Sequence, residues 1–217
     1  MKPSVTQERI EDAYRTLGYR DGWRFMSCPQ ANFANPSTLL ITLNPGGGAG
    51  QDVANPTWSQ ERGSAYLHEA WGDRPVGQES LQIQVQKLFE MIDQPIDKAG
   101  SAYFIPFRSA RWANLENRDK AVAFARSLWV DFSQGMKPKY VICMGNIVGK
   151  YMKDLFGAER LEKRPTGWGN ISLSMGETAS GGRFVILPHL GTFKLFSNKN
   201  CIPSLRTAFG IEGIHHA

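Results

Sequence analysis

Two short stretches of this chain concentrate the groups that could do chemistry: Asn44-Pro45-Gly46-Gly47-Gly48 and Pro188-His189-Leu190-Gly191. Each follows an uncharged apolar run, Leu39-Leu40-Ile41-Thr42-Leu43 in one case and Phe184-Val185-Ile186-Leu187 in the other. Such runs read as buried strands. Both stretches therefore fall at the carboxyl ends of strands, where open α/β sheets bind their ligands. The Asn44 amide can orient a water without titrating. The bare backbone at Gly46 and Gly47 admits a ligand close to the main chain. The His189 imidazole offers a hydrogen-bond donor, or a proton near neutral pH. If the two strands are parallel neighbours, Asn44 and His189 face one another across a crevice. The plain alternatives are a strand-to-loop turn at Asn-Pro and Gly-Gly, and a structural histidine.

The loop after His189 mixes aromatic, basic and apolar residues. Lys194 could hold a phosphate while Phe193 or Leu195 wedges between bases; equally, Phe193 and Leu195 could pack the helix that follows. Arg108 and Arg111, on either side of the loop that leads to Trp112, are candidates for phosphate contacts or for an exposed, solvated pair. Other chemistries find less support. The run Gly46-Gly47-Gly48-Ala49-Gly50 fits neither the dinucleotide fingerprint nor the Walker spacing. Nothing in the spacing of Glu61, Glu69 and Asp73 marks a carboxylate dyad, although Asp52 lies close enough to the first stretch to assist a water.

These residues need a frame, and the order of apolar patterns supplies one. Helices are expected over 4–17, 64–70, 79–92, 117–134, from Gly145 to about 156, and over 198–209. Strands are expected over 38–43, 102–105, 139–144 and 184–187, with a short extended piece at 23–26 and an edge strand at 171–174. A long loop runs from Gly46 to about Gly63, and loops of that length in a compact domain are usually functional. Strands separated by helices point to a three-layer α/β/α sandwich around a central, mostly parallel, four-stranded sheet.

The 217 residues suit a single domain spanning 1–217. With 41% hydrophobic and 21% charged residues, the composition is that of an ordinary globular protein. A net charge of +5 leans towards polyanionic partners. No apolar run reaches transmembrane length and no secretory signal pattern is present, so a cytoplasmic protein without a membrane partner is expected. The three cysteines are far apart, with no Cys-x-x-Cys pair, which argues against zinc-ribbon and iron–sulfur sites. Cys143, inside an apolar run, reads as a buried reduced thiol. His68, His189, His215 and His216 lack metal-ligand spacing, so no metal or other cofactor is expected.

Taken together and in this order, the motifs resemble the uracil-DNA glycosylase superfamily. Thr42-Leu43-Asn44-Pro45-Gly46 looks like its first motif, Gly-x-Asn-Pro-Gly, in the mismatch-specific and single-strand-selective branches. His189 looks like the His that opens the second motif, and Tyr140–Gly145 like the penultimate core strand with its glycine turn. The resemblance implies hydrolysis of an N-glycosidic bond in DNA by a monofunctional, monomeric glycosylase acting on a base flipped out of the stack. Asn44 would position the attacking water, with Asp52 as a reserve, and His189 would stabilise charge on the departing base. Gly46, Gly47 and Ile105 would border the base, and Trp58 or Tyr66 would stack on it. Arg108, Arg111, Phe193, Lys194 and Leu195 would contact DNA. Three positions depart from the pattern: Thr42 replaces the leading Gly, Leu190-Gly191 replaces Pro-Ser, and the stretch Tyr103–Ser109 has no Asn to read the base edge. Without that polar readout, a modified or bulky pyrimidine is the expected substrate, in a repair or anti-phage setting. A non-catalytic module that binds DNA or a modified base is the alternative.

Overall fold

The computed structural model describes residues 6–47 and 56–211. Six strands form one sheet: β1 (Thr38–Thr42), β2 (Gly100–Tyr103), β3 (Tyr140–Met144), β4 (Glu162–Pro165), β5 (Ser172–Glu177) and β6 (Arg183–Leu187). Their order across the sheet is β2-β1-β3-β6-β5-β4. The first four in that order are mutually parallel, and β5 runs antiparallel to both β6 and β4. The helices are α1 (Gln7–Thr16), α2 (Ala65–His68), α3 (Ser80–Met91), α4 (Arg118–Phe132), α5 (Asn146–Leu155) and α6 (Ile202–Ala208).

The parallel strands are covered on both faces, which is why they read as continuous apolar runs. Every residue of β1 and β3 is buried. On one face Leu39, Ile41, Val141, Cys143 and Phe184 join a core with Ile10 of α1, Leu128 and Trp129 of α4, and Val148 and Met152 of α5. On the other, Leu40, Ile142, Met144, Val185 and Leu187 meet Val85, Leu88 and Phe89 of α3 and Leu205 of α6. The result is a mostly parallel α/β architecture with helices on both faces. Cys143 is a buried free thiol, and burial pushes it well above the ordinary thiol range.

Local sequence sets the helix ends. Glu79 caps α3 in a reciprocal capping box with Gln82. Gly145, at φ 101°, makes the sharp exit from β3 into α5. Gly149 lets α5 lie tightly on β6, because a Cβ there would come within 2.3 Å of Ile186 Cδ1.

The sheet corrects two expectations. It has six strands rather than four, and 171–174 is not an edge: β5 lies inside, with β4 beyond it. The sequence Glu-Lys-Arg-Pro of β4 is mostly exposed and carries no apolar signal. Charges and a proline are what an edge strand uses to avoid pairing with another chain. β2 also begins earlier than the apolar run suggests. Phe104 and Ile105 follow it but still donate to the carbonyls of Thr42 and Leu43 at 2.7 and 2.8 Å. Hydrophobicity marked burial there, not the strand limits. The 23–26 piece is extended, with isolated bridges from Trp23 to Phe107, Arg24 to Thr57 and Met26 to Ala102. Among the described residues, no helix is long and apolar enough to cross a membrane.

Candidate active site

A cleft of about 1210 Å³ opens at the carboxyl ends of β1, β2, β3 and β6. The two-residue period of a strand decides which side chains reach it. Leu40, Met144 and Leu187 belong to the core beside α3. Stepping by two along β1 and β6 from those residues leads to Thr42 and Asn44, and to His189. Thr42, Asn44, Met144 and His189 all line the cleft, as does Tyr103, the register partner of Thr42.

Asn44 and His189 therefore share the cleft as expected, but not as neighbours. β3 lies between their strands. Two strand spacings separate the strand ends by about 10 Å, which leaves room for a planar ring and a water. The Asn44 amide is held rigidly. Its Nδ2 donates to the carbonyls of Pro45 and Ser109 at 3.0 and 3.1 Å. Two carbonyl partners require the nitrogen on that side, so Oδ1 is turned away from them. Among the described residues Oδ1 accepts no hydrogen bond. His189 is exposed where it meets the cleft, yet the protein around the ring removes enough water to lower its pKa below the ordinary histidine value, with Glu79 opposing the shift. The imidazole is thus neutral at physiological pH and carries one N–H. Gly191 makes room for the ring: a Cβ there would lie 3.0 Å from His189 Cε1.

One wall is a charged clamp that local sequence patterns did not reveal. Arg24 grips Glu69 with two parallel bonds of 2.8 and 2.7 Å. Arg24 Nε donates to the Met26 carbonyl at 3.2 Å. Glu69 also accepts from Trp71 Nε1 at 3.0 Å and from Gln60. Burial alone would raise the Glu69 carboxyl, but the hydrogen bonds and charge of Arg24, with help from Trp71 and Gln60, hold it down at about 2. Every oxygen lone pair of Glu69 is engaged, so it serves as a girder and fixes the Trp71 indole in the cleft. The available signal was Arg24 itself, set between Trp23 and Phe25. A charge inside an apolar stretch is buried only when paired.

The remaining expected residues divide. Tyr66 is fully buried in the cleft wall, edge-on to Trp71 with ring centroids 5.3 Å apart. Gly46 and Gly47 line the opening, and Gly47 has φ 102°. Arg108 lines it too, with Nη1 donating to the Gly46 carbonyl at 2.8 Å; burial lowers its pKa. Arg111 and Arg62 stand on the same rim. Among the described residues that line the cleft, four arginines thus face two carboxylates, Glu69 and Asp73, and one of those is already neutralised by Arg24. The cleft favours an anion.

Five residues fall elsewhere. Trp58 packs on Phe25, at 5.4 Å between ring centroids, and donates to Gln30 at 2.9 Å instead of lining the cleft. Ile105 is fully buried in the core beside α1 and α4. Phe193 packs against Trp168, and Lys194 is exposed outside the cleft. Leu195 is fully buried beside α3 and cannot act as a wedge without leaving the core. Gln84 of α3 pins this loop by accepting from the Phe196 amide and donating to Ser197 Oγ at 2.9 and 2.6 Å. Asp52 and Gly48 lie outside the described residues, as do His215 and His216. Among the described residues no cluster of His, Cys, Asp or Glu could hold a metal ion. No protein-family model and no curated protein matches the chain.

Proposed function

We propose that the protein hydrolyses the N-glycosidic bond of a modified pyrimidine flipped out of DNA. One observation carries the reading: the Asn44 amide is locked by two backbone carbonyls with Oδ1 left as an acceptor in a cleft that also holds a neutral His189. Asn44 Oδ1 accepts a hydrogen bond from the attacking water and aims its oxygen at the anomeric carbon. As the glycosidic bond breaks, electrons move onto the base, and the His189 N–H donates to the oxygen where that charge gathers; the water oxygen bonds to the anomeric carbon, and the proton it releases ends on the departing base anion. A neutral donor suits this task, because the leaving base is stabilised without a full cation having to be desolvated. Arg108, Arg111 and Arg62 give the rim the positive charge that DNA phosphates require. The cleft of about 1210 Å³ has room for a base with a C5 substituent beside the sugar and phosphates that would meet its arginine rim.

The test is incubation with oligonucleotides that carry damaged and 5-substituted pyrimidines, followed by alkaline cleavage at abasic sites. Strand breaks at the modified position are expected. Asn44→Ala should slow base release by a hundredfold or more while DNA affinity stays within about twofold. Release at the wild-type rate would remove Asn44 from the reaction.

A second reading, a non-catalytic module that binds modified bases in DNA, is favoured by the burial of Leu195, which leaves the His189 loop without that wedge. Salt-sensitive DNA binding with no abasic product from any oligonucleotide would select it.

A further inference from the structure

Tyr103 closes β2, the strand on the far side of β1 from His189. Its amide is spent on the Phe25 carbonyl at 2.9 Å. Its side chain is only 9% exposed and lines the cleft. Among the described residues this hydroxyl has no hydrogen-bond partner, and it is not one of the buried polar atoms left unpaired, so the oxygen opens into the cleft while the ring stays packed. The charges that act on it are those of Arg24, Glu69 and Arg108. Arg24 and Glu69 are engaged with one another, and Arg108 Nη1 with the Gly46 carbonyl. Tyr66, by contrast, has the side chains of Thr42 and Ser101 beside its hydroxyl. Tyr103 thus presents a free donor and acceptor on a rigid ring, on the same sheet face as Asn44 and His189.

We infer that the Tyr103 hydroxyl reads the polar edge of the flipped base, and that the site accepts both 4-keto and 4-amino pyrimidines. The inference rests on the glycosidic-bond reading above. A fixed side-chain amide presents its donor and acceptor in one order, which suits one type of base edge and rejects the other. A hydroxyl rotates. It donates to a keto oxygen at C4 or accepts from an amino group there, at similar cost. Selectivity then falls on what the base carries at C5, in the wide part of the cleft, and not on its Watson–Crick edge.

The experiment uses single-stranded oligonucleotides with one 2′-fluoro-2′-deoxyuridine or one 2′-fluoro-2′-deoxycytidine, each bearing a 5-hydroxymethyl group. The fluorine blocks base release, so binding can be read by fluorescence anisotropy. An all-purine strand of equal length is the reference. Wild type is expected to prefer both pyrimidine strands to the reference and to bind them within about threefold of each other. Tyr103→Phe should weaken both about fivefold, with an unchanged melting temperature because the hydroxyl has no protein partner to lose. Tyr103→Asn should separate the two by tenfold or more. A Tyr103→Phe variant that binds both strands like wild type overturns this inference alone. So does a wild-type preference of more than tenfold between them. No preference of wild type over the all-purine strand overturns the glycosidic-bond reading, and this inference with it.

Discussion

Replacing Glu69 with Gln should cost the fold about 3 kcal/mol at neutral pH. Glu69 is held at about 2 against an ordinary value of 4.5, and at 1.36 kcal/mol for each pKa unit that difference amounts to about 3 kcal/mol. Because the folded pKa is the lower one, the stabilisation is complete above pH 4.5 and fades as pH falls towards 2. The structure gives an independent route to a similar figure. The Arg24 side chain is 9% exposed and that of Glu69 20%. Removing one partner of such a pair strands a buried charge, at about 3–5 kcal/mol. The glutamine amide would keep the shape and could still accept from Trp71, but it could not neutralise the guanidinium. For a chain of this size the melting temperature should drop by about 10 °C. Urea denaturation followed by circular dichroism between pH 7 and pH 3 would measure the gap between wild type and Glu69→Gln. The gap should be largest near neutrality and shrink below pH 4.5. A double change, Arg24→Met with Glu69→Leu, should recover most of the loss, since apolar replacement of a buried pair is often neutral. A gap under 1 kcal/mol at pH 7, or one that stays constant down to pH 3, would refute the argument.

Two further outcomes follow from the same geometry. Leu195→Ala should destabilise the protein by about 2–5 kcal/mol, the cost of a cavity in a packed core; an unchanged urea midpoint would instead mean that Leu195 is free to leave the core and act as a wedge. In an NMR titration the His189 ring should titrate below 6.5, since burial disfavours its cation. The unfolded chain then binds the extra proton first, so this residue makes stability fall as pH drops below 6.5 and leaves it unaffected above that. A His189 midpoint above 6.5 would show that Glu79, not burial, governs the ring.

How much of this could be read from the chain depended on whether a contact left a local pattern. β1, β3 and β6 are buried on both faces, so their apolar runs are visible, and with them the loops at Asn44 and His189. β4 is Glu-Lys-Arg-Pro at a sheet edge, and its hydrogen bonds involve backbone atoms that every residue shares. Arg24 and Glu69 are 45 positions apart, and only folding tells which carboxylate a buried arginine finds. Leu195 could be a wedge or a core residue by its type alone. What decides is Gln84, on a helix more than a hundred residues earlier, which ties the loop down through Phe196 and Ser197. Tyr103 stands in the stretch where the resemblance calls for an asparagine, and its type alone does not mark it as a base-reading group. Its register with Thr42, together with the two-residue period, is what brings it to the cleft.

The strand order also bears on the chemistry proposed. With β1 and β6 adjacent, Asn44 and His189 would stand about 5 Å apart at the backbone, close enough to hydrogen-bond one another and too close for a base between them. Cleaving a glycosidic bond calls for water on one side of the anomeric carbon and a donor at the departing base on the other. β3, lying between them, supplies that separation. It ends in Met144, whose side chain lines the cleft and offers no strong hydrogen-bonding group to compete for the water. In the proposed reaction, polar groups on the two strands that flank β3, with an apolar residue between, would keep the water acceptor and the leaving-group donor from quenching each other. Adjacent strands could not do this with the same residues.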